Sequence, residues 1–518
     1  MSLLSAIFLV PLLAALLVLV IPRDYRFLIR LVALGATLVS LALAFALFAK
    51  FDAAPAVDGF KFDYQKPWVP ALGINYHVGV DGLNLGLIVM GAMVAFAAAC
   101  CSHEIKSRDK DFYFLLLLMT GGILGAFASL DLVFLYFFHE LALVPTFIMI
   151  GVWGRGEEKN YATFKMTLYL SLGALIALAG LIALYFESGA RTFDIVALTK
   201  HAQANPRMFT PAAQGYVFPL LLFGFGILVS LWPLHTWAPL GYGAAPTATA
   251  MLHAGVLKKF GLYGLIRVAL PLMPEGSQPW LHVLAWLCLG NILHCGLVAA
   301  RQRDLNLLLG NSSVAHMGFV FLGIASLNLA GITGAVVVMV AHGLLAALAF
   351  GLAGYVRQQA GTLDMDKLGG LVQPMPFVGA AFLMAALAGC GLPGFGNFAG
   401  EVMVLFGAWR SFELVVAFAA WGTLVVGAVY MLRSVRNIFH GPLSAAPATM
   451  QDAGAWRRVP FVLLLGGLMA IGVWPRLLVD NIKTSAAPIV KMANGPEFAP
   501  ANKAPKKSAA AVPQAPAK

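Results

Sequence analysis

The sequence predicts an all-α polytopic membrane protein of about fourteen transmembrane helices, built around two inverted five-helix repeats. Three observations carry this. Apolar spans of about 20 residues recur along nearly the whole chain. Of 518 residues 60% are hydrophobic and 11% charged, with mean hydropathy +0.84, whereas a soluble domain carries about 25% charged residues. Proline and glycine interrupt two spans in matching positions of two halves, as in transporters made of inverted repeats.

In order, the spans 2–21, 27–48 and 82–101 form an N-terminal segment, 1–111. The first has no basic start and no obvious cleavage site, so it reads as a retained span rather than a signal peptide. Spans 112–130, 132–152, 163–186, 216–235 and 247–270 make the first five-helix unit, 112–270. Spans 280–300, 307–327, 329–355, 376–408 and 413–434 make the second, 280–436. A last span, 459–478, is the helix of the C-terminal segment 437–492. Residues 493–518 are rich in Ala, Pro and Lys, cannot bury enough apolar surface to fold, and are expected to be disordered. Barrel strands would alternate over about ten residues; these segments do not.

Helix seven is broken by Pro233, Pro239 and Pro246 with Gly241 and Gly243, and helix twelve by Pro393 with Gly391, Gly394 and Gly396. Proline removes a backbone donor and clashes with the preceding turn. Irregular backbone at membrane depth is tolerated only inside protein or beside water. Pro393 stands nearly as far from Trp280 as Pro233 does from Phe112. Five helices is an odd number, so the second unit is upside down, which suits one half-channel opening to each side.

The net charge is +11, and its placement matters more than its size. Arg23, Arg26, Lys106, Arg108, Lys110, Arg155, Lys159, Arg301, Arg303, Arg357, Lys367, Arg433, Arg436, Arg457 and Arg458 all follow odd-numbered spans. The positive-inside rule then puts those loops in the cytoplasm and both termini outside. Topology accounts for the charge, so no nucleic acid is expected. The loop 49–80 balances Lys50, Lys61 and Lys66 with Asp52, Asp58 and Asp63 and suits the outer side. The five cysteines show no metal or cluster spacing. No P-loop or dinucleotide fingerprint is present.

Glu140 lies near the middle of LVFLYFFHELALVPTFIMIGVW. A carboxylate there costs roughly 2.5–3.5 kcal/mol on insertion scales. Lys165, Lys259, His316, His342 and Glu401 repeat that expense, and together they read as a proton or cation relay. Blander readings stand beside it. Lys165 could snorkel from the cytoplasmic end of span six, Lys259 or its neighbour Lys258 could reach an interface, and the histidines could be hydrogen-bonded core residues. His139, His235, His253 and His294 are weaker candidates; of these, His235 and His253 flank the helix-seven break. Asp131 and Asp304 read as helix-end charges.

The stretches FFHELALVPTF, PLHTWAP, APTATAMLHAGVLKKFGLYGLIR, SSVAHMGFV, AHGLLAALAF and LPGFGNFAGEVMVLFG together resemble the antiporter-like subunits of respiratory complex I. The fit is best to the fourteen-helix M (mitochondrial subunit 4) type, from about residue 76 to about 440. The resemblance implies a proton-translocating membrane-arm subunit of NADH-quinone oxidoreductase, driven by quinone reduction in other subunits. It implies a multi-pass protein of the bacterial inner membrane, with neighbouring antiporter-like subunits, lipids and H+ as partners. This chain would hold no cofactor; quinone, FMN and Fe–S clusters belong to partner subunits. It implies relay roles for Glu140, Lys259, His316, His342 and Glu401, and a less defined one for Lys165. The same likeness extends to Mrp-type cation/proton antiporters and to energy-converting hydrogenases, and a non-pumping structural paralogue is a further alternative.

The chain departs from the family pattern at Leu228, where a lysine usually partners the span-five glutamate. WAPLGYGAAP replaces a more polar segment, and Asn306 and Leu307 replace two basic residues. Glu140 is then balanced by Lys165, by another subunit, or by its own proton.

Overall fold

The structure is a computed structural model and describes residues 2–443 and 450–495. From residue 496 on, the tail expected to be disordered lies outside the described residues.

Helices α1 (Leu3–Val20), α2 (Arg26–Lys50) and α3 (Gly82–Cys101) fill the N-terminal segment. Asp81 starts α3 with a capping box: its carboxylate accepts from the Leu83 and Asn84 N–H groups while the Asn84 side chain accepts from Asp81 N–H. The first repeat holds α4 (Asp109–Ala128), α5 (Leu132–Trp153), α6 (Lys159–Ser188), a short α7 (Ile195–Ala204) and α8 (Pro211–Val229). It continues through α9 (Trp237–Ala244), α10 (Thr247–Gly255), a 3-10 turn at Leu257–Lys259, α11 (Phe260–Gly264), a π turn at Leu265–Ala269 and α12 (Leu270–Leu272).

The second repeat holds α13 (Pro274–Leu289), a π turn, α14 (Cys295–Arg301), α15 (Leu305–Ala325), α16 (Leu329–Ala360), α17 (Pro376–Gly389) and α18 (Gly396–Trp409). It closes with α19 (Glu413–Trp421), a π turn at Gly422–Gly427 and α20 (Ala428–Phe439). Helices α21 (Ala455–Val473) and α22 (Arg476–Asn494) follow.

Among the described residues, 12 helical segments are long and apolar enough to cross a membrane. The two remaining expected spans, 247–270 and 376–408, are present but interrupted. The chain is a multi-pass integral membrane protein. Helix seven breaks after Val229, where Ser230 takes a left-handed conformation (φ 73). Helix twelve breaks between Gly389 and Gly396, with Gly391 and Gly394 at φ 69 and 100. Gly391 is favoured there by its left-handed backbone, and a Cβ would also stand 2.9 Å from a Glu401 carboxylate oxygen, which would have to shift.

The helical class is as expected, and three features add to it. Residues 56–80 form an antiparallel sheet, β1 (Ala56–Val57), β2 (Phe60–Val69) and β3 (Ile74–Val80), in the order β1-β2-β3. Outside the hydrocarbon region water can satisfy strand edges, so nothing forces a helix. Phe60, Ile74, Val78 and Val80 bury the sheet against the helix ends. Helix eight is also broken, at Val256 (φ −122, ψ −61), immediately before the lysines. The C-terminal segment carries two helices rather than one. In α22, Leu478, Val479, Ile482, Ala486, Ile489 and Ala493 form one buried stripe, while Arg476, Asp480, Lys483, Thr484 and Lys491 lie off it, so the helix is amphipathic and packs along the bundle.

The repeats correspond in detail. Asp131 caps α5 and bridges Asp194; Asp304 caps α15 and bridges Asp364. The first pair sits with the β-sheet, the second with Arg303 and Lys367. At the basic end Arg30 pairs with Asp109 at 2.6 Å, and Lys110 Nζ donates to the Leu19 carbonyl at 2.7 Å. Also at that end, Glu104 pairs with Arg155 at 2.6 Å and accepts from Thr247 N–H at 2.9 Å and Thr247 Oγ1 at 3.0 Å. Arg357 of α16 reaches the same carboxylate at 3.6 Å.

At the sheet end, His77 lies between Asp63 (2.7 Å) and Asp194 (2.5 Å). Burial alone would lower its pKa; the two carboxylates outweigh that and hold it above the usual histidine value.

Candidate functional site

The 3-10 turn after α10 sits inside the bundle and carries two lysines. Lys259 is fully buried and donates from Nζ to the Ala254 carbonyl at 2.5 Å. Its Nζ also lies 2.9 Å from His342 Nδ1 on α16. The His342 and His316 rings have centroids 5.2 Å apart. His316 Nδ1 lies 2.8 Å from the Ser312 carbonyl. A carbonyl only accepts, so that nitrogen carries the hydrogen. Nε2 is then free to take a proton, and it stands 3.8 Å from Glu401 Oε1. Lys259, His342, His316 and Glu401 thus form one continuous buried line across α16, α15 and α18.

Glu401 follows Asn397 by one turn of α18, so both share a face. Glu401 Oε1, both Asn397 side-chain polar atoms and Thr423 Oγ1 are buried with no hydrogen-bond partner among the described residues. Each such atom left dry costs about 1–3 kcal/mol. A small cavity beside them is lined by His316, Gly389, Thr423 and Tyr430.

Glu140 lies on α5 and is not part of that line. Its side chain is 31% exposed, flanked by exposed Phe137, Val144 and Ile148. Its nearest basic neighbour among the described residues is His139, at 3.4 Å. The His139 ring stacks on Phe260 at 3.9 Å, next in sequence to Lys259. Lys165 stands apart, half-buried on α6 with Nζ 5.7 Å from the Tyr161 ring.

His235 and His253 are both buried beside the helix-seven break. His253 Nδ1 is 3.2 Å from Tyr242 OH, and the His235 and His294 rings are 5.7 Å apart.

Residues 129–427, more than half of the chain, match the family described as NADH:quinone oxidoreductase/Mrp antiporter, transmembrane. The chain belongs to this family. This family member is 35% identical over 477 residues to NAD(P)H-quinone oxidoreductase chain 4 of Picosynechococcus sp., covering 90% of this chain and 88% of that one. It is 33% identical over 468 residues to NADH-quinone oxidoreductase subunit M of Rhodobacter capsulatus, covering 89% and 90%. Its fold matches a chain of respiratory complex I from Thermus thermophilus at TM-score 0.86 and 28% identity, covering 95% of this chain and 100% of that one.

Sequence reasoning missed Asn397, Thr423 and Tyr430 in this antiporter-family site. Asn397 had a signal, since it precedes Glu401 by one turn. It also gave Lys258 the wrong surroundings. That side chain is 1% exposed and reaches no interface: its Nζ donates to Ser313 Oγ at 3.3 Å.

Proposed function

We propose that this chain is the proton-translocating M-type (chain 4) subunit in the membrane arm of a bacterial NADH-quinone oxidoreductase. Quinone reduction in partner subunits drives it, and it performs no redox chemistry itself. The observation that carries the reading is the unbroken buried line Lys259–His342–His316–Glu401. Lysine and imidazole nitrogens and a carboxylate are the groups that pick up and release protons, and here each lies within a few ångströms of the next. The unpartnered polar atoms around His235, His253, Asn397 and Thr423 support hydration of the path at both helix breaks.

The protein sits in the bacterial inner membrane with the basic loops in the cytoplasm. The α5 face that bears Glu140 packs against a neighbouring membrane subunit. An apolar helix face with a carboxylate at its centre is costly against lipid and inexpensive against a helix that offers a donor or cation there.

The test is Lys259→Ala in the assembled complex, reconstituted in liposomes. Transport through this subunit is expected to be lost, so the H+ moved per quinone reduced falls while the chain remains in the complex. An unchanged stoichiometry overturns the reading in favour of a structural subunit.

A further inference from the structure

We infer that Asn291 is a positioning residue of the relay: it brackets the break of helix seven to α15, the helix that carries His316. The inference rests on the relay proposed above and deepens it.

A broken helix leaves backbone groups that the next turn would have used. After Val229 the chain turns at Ser230, and among the described residues no backbone group bonds the Ser230 carbonyl or the Trp232 N–H. Inside an apolar bundle such groups need partners, and Asn291 supplies them. Its side chain is fully buried; Nδ2 donates to the Ser230 carbonyl at 2.9 Å, and Oδ1 accepts from Trp232 N–H at 2.8 Å. Nδ2 also donates to the Val314 carbonyl on α15 at 3.2 Å, two residues before His316. A side-chain amide is neutral and offers two donors and an acceptor. One residue therefore ties the chain at the break to a third helix.

Helix nine is shaped for this contact. It passes through the π turn Gly290–His294, whose extra residue re-aims the side chains it carries. Gly290 has no Cβ where one would run into the Trp232 ring. Gly318 of α15 has none where one would stand 3.0 Å from Asn291 Cβ and 2.8 Å from the Cys288 carbonyl. Close approach is thus built in on both sides of Asn291. The same π turn holds the His294 ring 5.7 Å from that of His235, beside the break. The bracket sets where the break and His235 stand relative to α15 and His316.

The test compares variants in the assembled complex reconstituted in liposomes. Asn291→Leu keeps the volume and none of the bonds. Hydrogen exchange over 230–237 is expected to quicken about 10-fold or more, with Thr247–Gly255 unchanged. The H+ moved through this subunit is expected to fall about 10-fold while the chain stays in the complex. Asn291→Asp has the same shape and keeps the acceptor for Trp232. Protonated, its carboxyl also donates to Ser230; ionised, it faces two carbonyl oxygens. It is expected to pump above the Lys259→Ala background, most at the lowest pH tested and reversibly on one preparation, which a defect of assembly would not do. Parental pumping in the leucine variant with quickened exchange would make Asn291 a structural residue and overturn the inference. Unchanged exchange at the break, or an aspartate variant at background at every pH, would also overturn it. Those outcomes leave the relay standing, because only full pumping by Lys259→Ala removes it.

Discussion

A carboxylate halfway along an apolar helix must be compensated, and Glu140 meets only His139 among the basic side chains of the described residues. Glu140→Gln removes the charge and keeps the shape. The expected outcome is normal assembly with reduced proton translocation and reduced coupled quinone reduction, read by pumping assays on the isolated complex. Leu228→Lys probes the other side. Leu228 is 4% exposed, and a lone buried ammonium there would cost several kcal/mol. With Glu140 accepting the charge, the variant is expected to assemble at parental yield; loss of the chain from the complex would show that the two positions do not meet. The sequence made the titratable residues legible because each stands alone in apolar surroundings. It did not reveal the surroundings of Lys258. Two neighbouring lysines look alike in a sequence, and only the 3-10 turn decides that both face inward.

At the scale of elements, apolar length and proline placement foretold the spans and both breaks. The sheet at 56–80 did carry a signal, since Phe60, Phe62 and Tyr64 alternate with Lys61, Asp63 and Gln65 in β2, a strand period that a reading of this loop by its charges alone passed over. His77 ties that sheet to the loop before α7 by sitting between Asp63 and Asp194. The imidazole titrates higher in the folded state than in the unfolded one. Its contribution is therefore complete below the unfolded value of about 6.5 and is lost as pH rises through the raised folded value. Hydrogen exchange over Phe60–Val80, normalised to intrinsic rates, is expected to speed up as pH rises above the ordinary histidine value and through the raised one. His77→Gln is expected to exchange fast throughout and to flatten that profile.

Over the whole molecule, the alternation of basic and balanced loops predicts which end meets the cytoplasm. A cysteine introduced beside Arg108 or Arg303 is expected to react only with reagents that reach the cytoplasm, and one within 49–80 only from outside; reversed labelling overturns the orientation. The Glu104 cluster joins the rest of the bundle to the relay. Helix α10 leads from Thr247 to the lysines, and α16 leads from Arg357 back to His342; both are pinned at one carboxylate. They run inward from it like the arms of a pair of tongs. The α16 arm is about 22 Å long at 1.5 Å per residue, so each 3° of rotation about Glu104 moves its tip by about 1 Å. A turn of that size is comparable with the Lys259–His342 distance of 2.9 Å, so the spacing of that pair is set from the far end of two helices.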